Sequence, residues 1–377
     1  MLLDSETSSK RLVEALTALK QGELLLLLDD SGSAPSAYLV CAAASVTPEN
    51  ICTMVNQARS IIIAPMPESY ANNLGLPLMA ARSVAGAPEL TVSVEARQGV
   101  TTGISAADRA QTLRMLATTE LPKVDLVTPG HIFPLCVKNG GVLVRSAAPE
   151  AAVDLLTMNG QTPVAALCHC LNDRGELLAE PEIEALVKQG QFKTVCVADV
   201  VRARLSKESV IEQIAKASLP TRKAGEFTAY CFRSHIDGAE HLALVKGTLD
   251  ESDAQGQPKP VLARVQAEER IADILGTRDL LTRQRMTSAL ERIAEEGRGV
   301  FVYVRHPSKS SLSEMRKNIR PAPGGGPAVT AQLREYGIGA QILRYLGAKR
   351  IRLLSNSSRD LAGIQAFQID IVEQVGF

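Results

Sequence analysis

Three places in this sequence set chemically versatile side chains close together. The first is Cys168-His169-Cys170, two thiols flanking an imidazole, a composition that suits a soft metal ion. These residues lie in the apolar stretch 164–171, which reads as a buried strand, and side chains alternate between the two faces of a strand. Cys168 and Cys170 therefore share one face while His169 takes the other. The three do not converge on one ion, so a core strand is the preferred reading. The second place is Pro321-Ala-Pro-Gly-Gly-Gly-Pro327, whose glycines suggest a phosphate cradle. It lacks the G-x-x-x-x-G-K-[ST] pattern and a strand feeding directly into it, so a turn is the better reading. The third is the basic cluster Arg278, Arg283 and Arg285, which on an amphipathic helix reads as a solvated face.

The elements that must position these groups alternate between helices and β-branched runs. A first helix, capped by Ser8 or Ser9, carries Leu12, Ala15, Leu16 and Leu19 on one side and ends at Gly22. Residues 24–28, five leucines, form a strand buried on both faces, and 29–33 the loop leaving it. A helix follows Thr47-Pro48, strands follow at 61–64 and 90–94, and a helix at 106–116. Residues 205–218 read as a polar, helix-like connector, with a domain boundary near 206–216. Beyond it come strands at 227–233, 241–247 and 260–265, a helix at 278–296, a strand at 299–304, a helix at 331–346 and a strand at 350–354. This pattern predicts an α/β (α+β) fold in two domains, 1–208 and 215–377, and 377 residues suffice for two cores. With no Trp and only 6 Tyr and 7 Phe, those cores must be mainly aliphatic.

Forty-one basic residues balance 41 acidic ones, which argues against nucleic acid or an anionic membrane as partner. Seven scattered cysteines without a C-x-x-C read as reduced thiols in a cytoplasmic protein. No apolar stretch is long enough for a membrane span, and the start has no signal-peptide pattern.

The stretches Gly99-Val-Thr-Thr-Gly-Ile-Ser-Ala-Ala-Asp-Arg109, Pro129-Gly-His-Ile-Phe-Pro-Leu135 and Gly140-Gly-Val-Leu143 resemble 3,4-dihydroxy-2-butanone-4-phosphate synthase of riboflavin biosynthesis. That resemblance implies a rearrangement of ribulose 5-phosphate that expels formate, assisted by a divalent cation held by oxygen ligands and an imidazole. Ungapped correspondence puts Ala34 where the family has its metal-binding Glu, Ser33 on the neighbouring Arg and Tyr38 on a substrate-contacting Asp. The metal-binding His falls on Ala148, a phosphate-holding Thr on Pro149 and a catalytic Glu on His169. Retained are Arg145, which in the family faces the substrate phosphate, His131, near the reacting carbons, and Asp108-Arg109.

Pro260-Val-Leu-Ala-Arg-Val265, Ile293-Ala-Glu-Glu-Gly-Arg-Gly299 and Tyr336-Gly-Ile-Gly-Ala-Gln-Ile-Leu343 resemble GTP cyclohydrolase II. That family opens an imidazole ring with a three-thiolate zinc site. Its thiolate positions fall on Glu269, Leu280 and Thr282, and no Cys occurs from 232 to 377. The proposed base and nucleophile fall on Gln332 and Arg334. Arg264 and Glu268 persist from a nucleotide-contacting segment, as do Ser355 and Asn356, while Asp360 stands where the family has a Lys.

Together the two resemblances imply a bifunctional riboflavin biosynthesis protein whose magnesium and zinc ligands are missing, so no cofactor is expected. The first reading is a catalytically silent homologue acting as a regulatory, scaffolding or metabolite-binding protein. It would form a homodimer or a hetero-oligomer with an intact homologue, with a phosphorylated small molecule as candidate ligand. Its retained positions are His131 and Arg334, with Arg145, Arg264, Glu268 and Ser355 as substrate-binding candidates. The alternatives are an enzyme with repurposed sites acting on a sugar phosphate or nucleotide, and an active riboflavin enzyme with unusual ligands.

Overall fold

The structure is a computed structural model. It describes residues 5–31, 34–80, 89–118, 125–252, 255–276, 281–305, 329–356, 364–365, 367 and 369–377. The first half contributes strands β1 (Leu25–Asp29), β2 (Ser36–Ala42), β3 (Ile63–Pro67), β4 (Glu89–Leu90), β5 (Val94–Ala96), β6 (Leu126–Val137), β7 (Ala165–His169) and β8 (Lys193–Cys196). They form a mixed sheet in the order β4-β6-β3-β7-β2-β1-β8, with β5 paired to β6. Its helices are α1 (Ser5–Lys20), α2 (Pro48–Thr53), α3 (Glu68–Asn73), α4 (Ala106–Leu116), α5 (Ala148–Met158), α6 (Glu180–Gln189) and α7 (Val197–Lys207).

The leucine run of β1 is explained by layers on both sides. Leu25 and Leu27 pack with α1, α5 and α7, whereas Leu24 and Leu26 join the cluster that includes Ile51, Leu113 and Ile183 from α2, α4 and α6. Cys168 and Cys170 belong to that second cluster and His169 faces the other way, as the alternation predicts.

The second half adds β9 (Ile211–Thr221), β10 (Gly225–Ser234), β11 (Glu240–Lys246), β12 (Val261–Ala267), β13 (Gly299–Val304), β14 (Arg350–Leu354) and β15 (Asp370–Val375), in the order β15-β14-β12-β13-β11-β10-β9. Helices α8 (Arg270–Leu275) and α9 (Thr282–Glu296) lie with one face of this sheet, and α10 (Val329–Tyr345) with the other. The α10 side is continuous with the first half: one buried cluster runs from Leu19 through Leu205 to Ala243, Val302 and Leu343. The glycines of Tyr336-Gly-Ile-Gly-Ala let α10 come close to α7 of the first half and to β12 of its own sheet. A Cβ on Gly337 would stand 2.7 Å from Leu205 Cδ1, and one on Gly339 2.6 Å from Val265 Cγ1.

The expected connector over 205–218 is corrected. Helix α7 stops at Lys207 and β9 begins at Ile211, pairing antiparallel with β10. Its polar composition reflects exposure on both faces rather than a helical surface. Ser8 also differs from its expected role: it lies inside α1 and donates to Asp199 Oδ1 at 2.5 Å. The predicted helix over 278–296 is α9, preceded by the separate α8, while residues 277–280 and the glycine loop 321–327 lie outside the described residues.

Candidate functional sites

In the first half, the candidate residues gather where β1 ends against the N-terminus of α5. Asp29 pairs in register with Ser36, and Tyr38 with His169. Asp29 Oδ1 accepts from the Ser31 amide (3.0 Å) and hydroxyl (2.5 Å), and its Oδ2 from the Ala148 amide at 2.9 Å. A carboxylate is well placed there, because the first amides of a helix lack partners within it and carry partial positive charge. The β1–β2 connection leaves Ala34 exposed, and Ala148 is fully buried. The Tyr38 and His169 rings stack with centroids 4.1 Å apart. Burial lowers the His169 pKa, partly opposed by Asp29, and raises the Tyr38 phenol to about 12. Asp30, beside Asp29, has a buried carboxyl group raised to about 6 by burial, with the Asp29 and Asp199 charges adding to the rise and nearby backbone amides opposing it.

Arg145 sits just before α5, with Nε 2.7 Å from Glu150 Oε1. The Glu150 side chain is completely buried and also accepts from the Lys138 amide at 3.2 Å. Burial raises its pKa while Arg145 pulls it down. Part of Arg145 is therefore committed to an internal acid. That partner is missing from the sequence reading, although it lies only five residues along the chain.

His131 lies elsewhere, on β6 beside β5. Its Nδ1 is joined to Glu95 Oε1, and 43% of its side chain remains exposed. Two glycines make room for this pair. A Cβ on Gly130 would lie 2.0 Å from the Val94 carbonyl carbon, and one on Gly103 1.9 Å from Glu95 Oε1. Asp108 closes the adjoining turn by accepting from Thr101 Oγ1 and the Gly103 amide, so it pairs with the loop and not with Arg109. Among the described residues, no hydrogen bond or ion pair joins His131 to Arg145 or His169. Glu95 was equally unforeseen; its one signal is a lone acid within Val92-Ser-Val-Glu-Ala96.

In the second half, Arg264 on β12 donates to the Leu354 carbonyl at 2.9 Å and lies 5.2 Å from the Phe377 ring centroid. Glu268, nearly buried, sits 3.4 Å from Arg270 and 3.6 Å from Arg305. Ser355 is 1% exposed, and its amide donates to Val375 O. Arg334 on α10 is partly buried; burial lowers its pKa, opposed by Asp237. Asp273 on α8 acts as a hub. Its Oδ1 accepts from Gln266 Nε2 (3.1 Å), and its Oδ2 from the Tyr303 hydroxyl (2.7 Å) and the Glu269 amide (2.9 Å). Gln266 Nε2 also reaches Thr282 O at 3.4 Å. Glu269 and Thr282, two of the three thiolate-equivalent positions, thus border this network; Leu280 and Asp360 lie outside the described residues.

Residues 13–203 match the family 3,4-dihydroxy-2-butanone 4-phosphate synthase, and residues 212–376 match GTP cyclohydrolase II. The chain belongs to the bifunctional riboflavin biosynthesis family. A family member from Bacillus cytotoxicus, riboflavin biosynthesis protein RibBA, is 35% identical over 97% of this chain and 92% of its own. A 3,4-dihydroxy-2-butanone 4-phosphate synthase from Pseudomonas aeruginosa is 36% identical, covering 96% of this chain and 97% of that one. Among solved structures, RibBX of A. baumannii, described as a two domain 3,4-dihydroxy-2-butanone 4-phosphate synthase, superposes with a TM-score of 0.77. It is 28% identical and covers 97% of this chain and 99% of its own. Among the described residues no helix is long and apolar enough to cross a membrane.

Proposed function

We propose that this chain is a catalytically silent member of the riboflavin family, a cytoplasmic regulatory, scaffolding or metabolite-binding protein. The observation that carries the reading is the Asp29–Ala148 bond. At the position where the family has an imidazole ligand, this chain has a methyl group, and the neighbouring acid is turned onto the backbone. Magnesium asks for several oxygen donors. Here Ala34 and Ala148 supply none, Asp29 is engaged by Ser31 and α5, and His169 is stacked on Tyr38. The second half fits zinc no better. Glu269 and Thr282 offer no thiolate, and the nearby acid Asp273 is occupied by three donors. Among the described residues, no three His, Cys, Asp or Glu side chains are grouped to hold an ion. Without its Lewis acid, the enediolate of the synthase reaction has no comparable stabilisation. Relatives matching nearly the whole chain are named variously bifunctional, monofunctional or for a single activity, so keeping both halves does not fix the chemistry.

The test is formate release by the purified chain from ribulose 5-phosphate and from GTP, with magnesium and zinc supplied. The expected result is none above the blank, together with zinc well below one equivalent. Robust formate from either substrate would sink the proposal. As a silent member, the chain would assemble with itself or with an intact homologue, which co-purification with such an enzyme would reveal.

A second reading rests on His131. A carboxylate-oriented, part-exposed imidazole can move a proton without a cation, and that supports a repurposed enzyme acting on a sugar phosphate. Turnover of any such substrate that is abolished by His131→Gln would favour it.

A further inference from the structure

Where α7 and α10 both end, a cleft of about 330 Å³ opens between the two halves. Lys207, Arg344 and Lys349 line it, and none of their side chains makes a hydrogen bond or ion pair among the described residues. The acid on the wall, Glu208, is already held by Arg204, with both oxygens at 2.7 Å. Three basic residues without a carboxylate partner among the described residues therefore line one small volume, in a chain whose formal net charge is zero.

Helix dipoles account for part of this. Lys207 and Arg344 stand in the last turns of their helices, where a cation is favoured. Lys349 does not; it follows the turn that leaves α10 and precedes β14. The turn closed by the Ala348 amide on Leu343 O, with Gly347 in the left-handed region, carries it back beside Arg344. The surroundings are also built. Gln341 Oε1 accepts from the Val210 amide at 2.9 Å, and its Nε2 donates to Leu205 O (2.7 Å) and Glu208 O (2.8 Å), which fixes one wall. Tyr345, 58% exposed, is held edge-on against Phe232 with centroids 5.2 Å apart.

We propose that this cleft binds a phosphate-bearing small molecule, its phosphate among Lys207, Arg344 and Lys349 and its remaining body against Tyr345. Its volume is in the range of small-ligand sites, and charge-assisted bonds to phosphate are the strong kind. Because Gln341 ties α10 to the α7–β9 junction, occupancy stiffens the joint between the halves. The site shares no lining residue with Arg145, His131, Arg264 or Arg334, so it stands whether or not the chain turns over a substrate.

The test is calorimetric titration with inorganic pyrophosphate at about 0.02 M salt, where screening is weak. Wild type should bind, and K207A/R344A/K349A should bind at least about tenfold more weakly with an unchanged far-ultraviolet spectrum. The charge-matched control K10A/K20A/K188A, three exposed lysines elsewhere, should bind as wild type does. The proposal is overturned if wild type shows no binding up to about 10 mM. It is equally overturned if the cleft variant binds like wild type, or if the control loses binding to the same degree.

Discussion

Replacing Asp30 by Asn should stabilise this protein at neutral pH. The carboxyl group ordinarily titrates at 3.8 and here at about 6, chiefly because it is buried. Below both values the acid is protonated in native and unfolded chains alike, and nothing is lost. Between them only the native form keeps the proton, so stability falls as pH rises. Above about 6 both forms are ionised and the native state carries the full penalty. At about 1.4 kcal/mol per pH unit, that penalty is at most about 3 kcal/mol. An Asn amide keeps the shape but also wants partners, which trims the expected gain to about 1–2 kcal/mol. Urea unfolding of both proteins at a series of pH values reads this directly, as a difference in midpoint at constant slope. The difference should be small near pH 4 and reach its plateau above about pH 6.5. A gain that is the same at every pH, or a wild type more stable than the variant at pH 7.5, would refute the account.

Arg145→Ala should cost about 2–4 kcal/mol, because it strands the fully buried Glu150; R145A/E150Q should recover much of it in a double-mutant cycle. Gly130→Ala should lose more than about 3 kcal/mol or fail to accumulate in soluble form, since its Cβ would lie 2.0 Å from the Val94 backbone. Asp273→Ala, which unbonds Gln266, Tyr303 and the Glu269 amide, should cost about 2–4 kcal/mol in chemical unfolding, and added zinc should not restore the loss.

Elements with a strong apolar period were legible from residue order. Helix α4 and strands β13 and β14 have the bounds that periodicity predicts, and the leucine run is a strand buried on both faces. Strand β6 is masked by Pro129, Gly130 and Pro134: Pro134 pairs with Ala64 of β3, while Pro129 and Gly130 fall where the register with β5 shifts between Val127 and Ile132. Strand β9 was hidden by its polarity, because a ribbon exposed on both faces has no apolar face to betray a period of two. The site was legible one member at a time. Arg145 and His131 were singled out by type and motif, but their partners Glu150 and Glu95 are ordinary acids whose roles exist only once the chain has folded. Asp273 is of the same kind, joining strand residues Gln266 and Tyr303 that are 37 positions apart in sequence.

Leu205 of α7 rests against Gly337, in a buried cluster that passes without a break from Leu19 to Leu343. Cutting the gene between the halves would consequently leave each fragment with a raw greasy wound, prone to clumping. Evolution can blunt the chemistry at either end of such a molecule more readily than it can discard an end.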